Sequence, residues 1–287
     1  MNTKKIICRL SSVFLLTSVL FAPLSACAET TNSSNKLNYA KRTLIWSDEF
    51  EGTEINKDNW TYDIGVGNNG NNNGWGNNEL QYYTDRTDNA RIEDGNLVIE
   101  AKKENYNGCE YTSARLKTKG LHEFTYGRIE ARIKLPLEQG MWPAFWMLGS
   151  SFTGDDAWPY CGEIDIMEHV NKESVVSGAL HWDNNGSQTF GKSLYDISPD
   201  DYHVYAIEWT KNYIKWYVDD IEFCAADISD IIIPGLERNI KNNDAFHEPF
   251  FILLNMAVGG NWPGSPDDST NFPAKMYVDY VRVYSEI

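Results

Sequence analysis

The sequence predicts an all-β domain in which two antiparallel sheets stack as a sandwich or jelly roll. Apolar and polar residues alternate in several separate segments, among them RIEARIKL (128–135), YHVYAIEW (202–209), YIKWYV (213–218) and KMYVDYVRVY (275–284). An alternation with a period of two is typical of strands with one buried face. Many short strands joined by turns are typical of a sandwich.

The connections are predicted from turn residues. The acidic pair at residues 219–220 separates two alternating segments and predicts a hairpin turn, and Asp-Gly at residues 94–95 precedes a strand at residues 96–101. The Asn- and Gly-rich tract at residues 65–78 predicts a loop. Residues 226–233 are the best candidate for a short helix.

The N-terminus has the pattern of an export signal. A positively charged start precedes an apolar run at residues 13–24, too short to span a bilayer securely. The run ends in LSAC (24–27), which resembles a bacterial lipoprotein box, where the chain is cut before the Cys and the Cys is lipidated. Residues 1–27 are therefore a candidate signal peptide and Cys27 a candidate lipid anchor. Residues 26–28 also fit ordinary cleavage, which would free the protein.

The rest of the chain divides into a tether and one domain. Residues 28–41 contain little to bury and predict a flexible linker, and residues 42–287 suit a single large all-β domain. No other apolar run is long enough to span a membrane. We expect an exported bacterial monomer, at the cell surface or in the periplasm if lipidated and secreted otherwise.

The net charge and the amino-acid composition restrict the class of molecule that the protein can bind. The net charge of −16, from 41 acidic and 25 basic residues, argues against nucleic acid, whose phosphates require a basic surface. The 10 Trp and 16 Tyr suit either a groove that stacks on sugars or a large β core. Outside the signal, Cys109, Cys161 and Cys224 allow at most one disulfide, of unknown pairing, and no Cys/His cluster indicates zinc.

The segment GEIDIMEH (162–169) breaks the strand alternation. On a regular strand Glu163 and Asp165 would share a face, while Glu168 would lie on the opposite, apolar face. An ionised carboxylate is costly there. A β-bulge at about residues 166–167 adds one residue and returns Glu168 to the polar face. The spacing therefore predicts three acids side by side on one surface.

Three neighbouring acids could serve catalysis, or they could have a simpler structural explanation. Like charges separate the pKa values of adjacent carboxyls, as glycosidic bond cleavage requires of its nucleophile and its acid. A solvated strand face or a calcium loop are the alternatives, although the glycine of an EF-hand is missing. Trp142 and Trp146 in GMWPAFWML share strand parity and could form a sugar platform or belong to the core.

The combination of EIDIME with MWPAFWML upstream resembles glycoside hydrolase family 16, in the bulged E-x-D-x-x-E form of its laminarinase-like members. Further ordered matches cover most of the domain: WSDEFEG (46–52), GWGNNELQYYT (74–84), TSARLKT (112–118), YGRIEARIK (126–134), ALHW (179–182), FILLNMAVGGNWPG (251–264) and MYVDYVRVY (276–284). The resemblance implies a concanavalin-like β-jelly roll and a retaining mechanism.

The resemblance also implies roles for individual residues. Glu163 would be the nucleophile, and Glu168 the acid that later becomes the base. Asp165, between them, would control the protonation of the two glutamates through hydrogen bonding. The implied sugar contacts are the stacking rings Trp142, Trp146 and Trp262 and the hydrogen-bonding Asn77, Arg115, His181 and Asn255. Each has a plain structural alternative, such as a surface ion pair for Arg115 or a turn cap for Asn77.

Some family members bind calcium far from the acids, at positions that match Glu49, Gly95 and Asp279 in this sequence. Oxygen ligands suit that ion, which would stabilise the fold and take no part in the chemistry. Asp279 could equally be an exposed strand residue.

The resemblance implies an endo-β-1,3-glucanase that acts on laminarin-like glucans, with tolerance of mixed linkages. Strict mixed-linkage enzymes lack the extra residue, so Met167 argues against them. Agar or carrageenan hydrolysis is an alternative, although sulfated substrates favour basic clefts and this chain is acidic. A non-catalytic glucan-binding lipoprotein, the third hypothesis, would not need both glutamates.

Overall fold

The all-β prediction is confirmed by the computed structural model, which describes residues 42–67, 73–154, 157–236 and 240–286. Within these residues the regular elements are strands and short 3-10 turns. The predicted signal peptide, the linker and Cys27 lie outside the described residues. No helix in the described ranges is long and apolar enough to cross a membrane.

The strands are numbered here in chain order. They are β1 (Leu44–Asp48), β2 (Thr61–Asp63), β3 (Gln81–Tyr83), β4 (Ala90–Glu93), β5 (Asn96–Tyr106), β6 (Cys109–Ser113), β7 (Arg115–Lys117), β8 (Gly127–Lys134), β9 (Met141–Gly149), β10 (Glu163–Glu168), β11 (Val175–Asp183), β12 (Ser187–Tyr195), β13 (His203–Trp209), β14 (Tyr213–Val218), β15 (Ile221–Asp227), β16 (Phe250–Val258) and β17 (Ala274–Tyr284).

Two sheets contain these strands. In the larger sheet the order is β15-β14-β13-β8-β17-β5-β6-β3, with β1 paired to β17 and β4 to β5. The smaller sheet has the order β12-β11-β10-β9-β16-β7-β2. The pairs are antiparallel, apart from β3 with β6. The sheet order places β10 inside the smaller sheet, with β9 on one side and β11 on the other.

The core lies between the two sheets because each strand turns alternate residues inward. Ile207 and Trp209 of β13, Ile214 and Trp216 of β14, and Ile164 of β10 are 0% exposed and belong to one cluster. Such alternation follows from the pleat of a strand. Each sheet therefore has one outward face. We call the outward face of the smaller sheet the cleft face and that of the larger sheet the back face.

The hairpin turn predicted at residues 219–220 is present, and the Asp-Gly pair at residues 94–95 precedes a strand as predicted. The residue pairs 94–95 and 219–220 connect β4 to β5 and β14 to β15, and all four residues have positive φ. Two successive residues with positive φ are typical of the tight turn whose twist matches a hairpin. Cys109, Cys161 and Cys224 form no disulfide with one another, which agrees with the prediction of at most one.

The predicted helix at residues 226–233 is wrong. Strand β15 continues through Asp227, and the chain then follows a loop. The Asp227 carboxylate accepts hydrogen bonds from the backbone N–H groups of Ser229 and Ile233, at 2.9 and 2.6 Å. Because an Asp side chain can satisfy backbone donors locally, it stabilises a loop in competition with a helix.

Candidate active site

The bulge predicted on β10 is present. Against β9, Asp165 pairs with Trp146 and Glu168 with Ala144, so three steps on β10 correspond to two on β9. The pairing with β11 shifts in the same interval. The extra residue keeps Ile166 and Met167 in the core while the Glu168 carboxyl reaches the cleft face. The prediction that Glu168 returns to the polar face is therefore confirmed.

A contact between the sheets supports the bulged strand. Trp216 of β14 donates its indole N–H to the backbone carbonyl of Asp165 at 2.7 Å. The ring passes so close to Gly178 of β11 that a Cβ atom there would lie 2.4 Å from it. A buried carbonyl without a partner would cost free energy, so this contact stabilises the backbone that carries the acids.

The cleft face forms a groove of about 720 Å³. It extends across the sheet from Asp63 on β2 to Thr189 on β12. Seven strands at about 4.8 Å spacing are roughly 29 Å wide, enough for several sugar rings. The central strands contribute alternate residues to it: Trp142, Ala144, Trp146 and Leu148 from β9, Ser177, Ala179 and His181 from β11, and Phe251, Leu253, Asn255 and Ala257 from β16.

Asp165 is buried between two polar neighbours. Carboxylate oxygens of Glu163 and Asp165 and a ring nitrogen of His181 lie within 4.8 Å of one another, close enough to hold a metal ion. His181 Nε2 lies 3.2 Å from Asp165 Oδ2, and His181 Nδ1 is 2.9 Å from the hydroxyl of Thr189. Burial, the charge of Glu163 and a hydrogen bond with Glu163 raise the pKa of Asp165 well above its usual range. Asp165 is therefore suited to hold a proton next to Glu163.

Glu168 is the second acid with an altered proton affinity. Burial, followed by the charges of Asp165 and Glu163, raises the pKa of Glu168 well above its usual range. The indole N–H of Trp142 donates to Glu168 Oε1 at 2.9 Å and opposes part of that rise. A carboxyl that keeps its proton near neutral pH can act as a general acid.

The geometry agrees with comparisons to known proteins. The model of the family "Glycosyl hydrolases family 16" matches residues 77–282, which include the bulged strand and most of the residues that line the groove. The chain belongs to glycosyl hydrolase family 16. The beta-glucanase of Rhodothermus marinus is 42% identical over 286 residues, covering 96% of both chains. The crystal structure of the endo-beta-1,3-glucanase from Pyrococcus furiosus has a TM-score of 0.74 at 46% identity, covering 86% of this chain and 95% of that one.

One relative of the chain is much longer. The clotting factor G alpha subunit of Tachypleus tridentatus is 42% identical over 248 residues, or 86% of this chain, and this match spans 34% of that protein. The structural likeness confirms the jelly-roll prediction.

All seven predicted sugar contacts line the groove, namely Asn77, Arg115, Trp142, Trp146, His181, Asn255 and Trp262. The Trp142 and Trp262 rings meet edge to face, with centroids 5.5 Å apart. Trp146 donates its indole N–H to Asn255 Oδ1 at 2.7 Å, and Arg115 lies 4.7 Å from the Trp146 ring centroid. Arg115 also pairs with Asp63 at 3.0 Å, so its predicted alternative, an ion pair, is present as well.

Trp158 and Glu79 are among the groove residues that the sequence did not predict. Trp158 donates its indole N–H to Glu163 Oε2 at 2.7 Å. Glu79 accepts from Gln81 at 2.7 Å, and burial raises the pKa of its carboxyl. The available signals were a Trp five positions before Glu163 and an acid within GWGNNELQYYT. Neither position shows by itself that the side chain points into the groove.

The predicted calcium ligands lie in neighbouring segments of the larger sheet. Asp48 pairs with Val281, and Leu97, just beyond the turn with Gly95, pairs with Val278. The two carboxylates are occupied by arginines, however. Both Glu49 oxygens accept from Arg282, at 2.9 and 2.7 Å, and Asp279 accepts from Arg132 at 2.7 Å. This donor set does not fit a cation in the arrangement described, and the calcium site stays a prediction.

Proposed function

We propose that the protein is a retaining endo-β-1,3-glucanase that cleaves laminarin-like glucans. The observation that carries the proposal is the bulge of β10, which places Glu168 in the same groove as Glu163 and Asp165. The groove crosses the whole cleft face, which supports binding along a chain and cleavage within it. The name of the Rhodothermus relative supports a β-glucan substrate, and the name of the Pyrococcus enzyme supports the β-1,3 linkage.

In the first step, a Glu163 oxygen attacks the anomeric carbon while the bond from that carbon to the glycosidic oxygen breaks. Glu168 transfers its proton to the departing oxygen, and the product is a glycosyl ester on Glu163. In the second step, water attacks the same carbon, Glu168 accepts the proton of the water, and Glu163 leaves as a carboxylate. Two inversions retain the configuration. Only carboxyls of the chain take part, so the chemistry requires no cofactor.

Asp165 adjusts the charge between the two glutamates. Its raised pKa keeps a proton beside Glu163, so that the three acids do not carry three negative charges together. We expect the loss of Asp165 to reduce the rate severely without changing which residues attack and protonate. Trp142, Trp146 and Trp262 provide apolar faces on which pyranose rings can stack.

One assay tests reaction and substrate together. Wild type and Glu163→Ala are incubated with laminarin, lichenan, agarose and carrageenan; products are identified by chromatography and their initial anomer by NMR. We expect β-configured products from laminarin, less from lichenan, and none from the variant. Inverted products or an undiminished variant would contradict the mechanism, and cleavage of agarose alone would contradict the substrate.

We further propose that the protein is exported, anchored through a lipid on Cys27, and monomeric. The sequence pattern at residues 24–27 supports the anchor. Mass spectrometry of the N-terminal peptide, compared between wild type and Cys27→Ala, tests this. A mature N-terminus without acyl groups at Cys27 would favour free secretion.

A further inference from the structure

Trp158 contacts the proposed nucleophile directly. It lies in the connection between β9 and β10, five residues before Glu163, and its indole N–H donates to Glu163 Oε2 at 2.7 Å. The side chain lines the groove and is 39% exposed. Because water could satisfy an exposed N–H, burial alone does not account for this hydrogen bond.

Trp158 and His181 contact Glu163 and Asp165 from two sides. Its ring centroid is 6.0 Å from that of His181, and the Thr189 hydroxyl fixes the other side of the imidazole at 2.9 Å. His181 in turn faces Asp165. The Glu163–Asp165 pair is thus held from the loop by Trp158 and from β11 by His181.

We propose that Trp158 is a positioning residue for the reaction, whose indole N–H holds Glu163 Oε2 and leaves Oε1 free to attack the sugar. The inference rests on the proposed function, in which Glu163 is the nucleophile. It adds a residue whose effect falls mainly on the second step, when the ester bond to Glu163 breaks.

The charge on Glu163 determines which step of the reaction the hydrogen bond from Trp158 accelerates. While the glycosyl ester exists, Glu163 is neutral and the indole N–H faces a weak acceptor. As the C1–Oε1 bond breaks, its electron pair returns to the carboxylate, and the hydrogen bond becomes charge-assisted and stronger. An interaction that strengthens in the transition state accelerates that step. Trp158 therefore favours the departure of Glu163 from the sugar.

Glu168 has a corresponding partner. Trp142 donates its indole N–H to Glu168 Oε1 at 2.9 Å, so each proposed catalytic glutamate accepts from one tryptophan. The two hydrogen bonds should affect opposite limbs of the pH profile. Losing a donor makes ionised Glu163 less favourable and moves the acid limb of kcat/KM to higher pH. Losing the donor to Glu168 moves the alkaline limb to higher pH.

Other ionisable groups face Glu163 and stay constant in this comparison. They are Asp165 and Glu168 on its own strand, His181 on β11 and the Cys161 thiol before the strand. On the β9 side its pairing partner is Leu148, which is apolar.

The test uses Trp158→Phe, which keeps a flat ring and removes the N–H. With 2,4-dinitrophenyl β-laminaribioside the leaving group needs no proton, so release of the ester becomes the slow step. We expect kcat to fall about ten- to a hundredfold, the range for a hydrogen bond to a charged group. KM should fall in parallel, with a burst of dinitrophenolate and a glycosyl ester detectable on Glu163 by mass spectrometry. With laminarin as the substrate, the acid limb of kcat/KM should move to higher pH.

Trp142→Phe is the matched control, since it also removes one indole N–H inside the groove. We expect it to lower kcat with the dinitrophenyl substrate less than Trp158→Phe does, and to move the alkaline limb of kcat/KM measured with laminarin. If Trp158→Phe keeps the wild-type kcat with the dinitrophenyl substrate and an unshifted acid limb with laminarin, with only a higher KM, Trp158 is a sugar platform and the proposal is wrong. If the Phe variant does not fold, β-(3-benzothienyl)alanine at position 158 replaces N–H by sulfur with little change of shape.

A further control separates the two proposals. Glu163→Ala must lose hydrolysis of laminarin if Glu163 is the nucleophile. An active Glu163→Ala contradicts the proposed function itself. If Glu163→Ala is inactive and Trp158→Phe shows neither a lower kcat nor a shifted acid limb, only the proposed role of Trp158 is contradicted.

Discussion

Carboxylates on the back face and the acids on β10 in the cleft face have opposite surroundings and opposite pKa shifts. On the back face, arginines pair with acids, and hydrogen bonds from Arg282 lower the pKa of Glu49. On the cleft face, Asp165 and Glu168 lie close to another acid, and their pKa values are raised. Both faces belong to one sandwich with similar strands. Charge pairing, more than the number of acids, therefore distinguishes a supporting surface from a reactive one.

The largest expected difference between the faces is in activity. Replacing Glu168 by Gln removes the proton donor and should lower kcat/KM on laminarin about 10²- to 10⁴-fold. Glu222, which pairs with Lys215 on the back face, is the matched control. Glu222→Gln should leave kcat/KM within about twofold. Similar losses in both variants would show that the acids of the two faces do not differ in function.

The next effect is on stability and concerns Arg128. Its side chain is fully buried on the back face and bonds Glu130 at 2.7 Å and Asp220 at 2.9 Å. Arg128→Met removes the arginine that pairs with the buried Glu130 carboxylate, and we expect the free energy of unfolding to fall by about 3–5 kcal/mol. Lys215→Met breaks a more exposed pair and should cost less than about 1 kcal/mol. Urea unfolding measures both, and equal costs would contradict the importance of burial.

A smaller effect compares the pH dependence of stability. The raised pKa of Glu168 contributes stability that is complete below the unfolded value of about 4.3 and is lost as pH rises through the folded pKa. Glu168→Gln should therefore stabilise the protein at pH 7, by about 0.5–2 kcal/mol, and this gain should vanish near pH 4.

Glu49 should show the opposite sign. Its lowered pKa contributes stability above the unfolded value, which is lost as pH falls through the folded pKa. Glu49→Gln should thus be the less stable protein at pH 7, by less than about 1 kcal/mol because the pair is partly exposed, and should match wild type in acid. Thermal unfolding from pH 3 to 8 measures both variants. Slopes of the same sign would contradict the comparison.

The sequence was most informative where the signal is local. Alternation identifies strands because the pleat has a fixed period, and the interval between Asp165 and Glu168 predicts the bulge because a regular strand would bury an acid. The sugar contacts came from resemblance to a family, and the structure places them in the groove.

Contacts between distant segments could not be predicted in the same way. The bond from Trp216 to the Asp165 carbonyl depends on how one sheet stacks on the other, and the bond from Trp158 to Glu163 depends on the path of a loop. The wrong helix at residues 226–233 has a related cause. Asp227 binds backbone donors two and six residues further on, which alternation does not reveal.

The central claim is that Glu163 attacks and Glu168 protonates from one bulged strand. Chemical rescue with azide tests it most directly, using 2,4-dinitrophenyl β-laminaribioside with Glu163→Ala and Glu168→Ala and NMR of the products. We predict an α-glycosyl azide from Glu163→Ala, because azide replaces the nucleophile, and a β-glycosyl azide from Glu168→Ala, because azide attacks the ester on Glu163. The reverse assignment, or rescue of neither variant, would contradict the account.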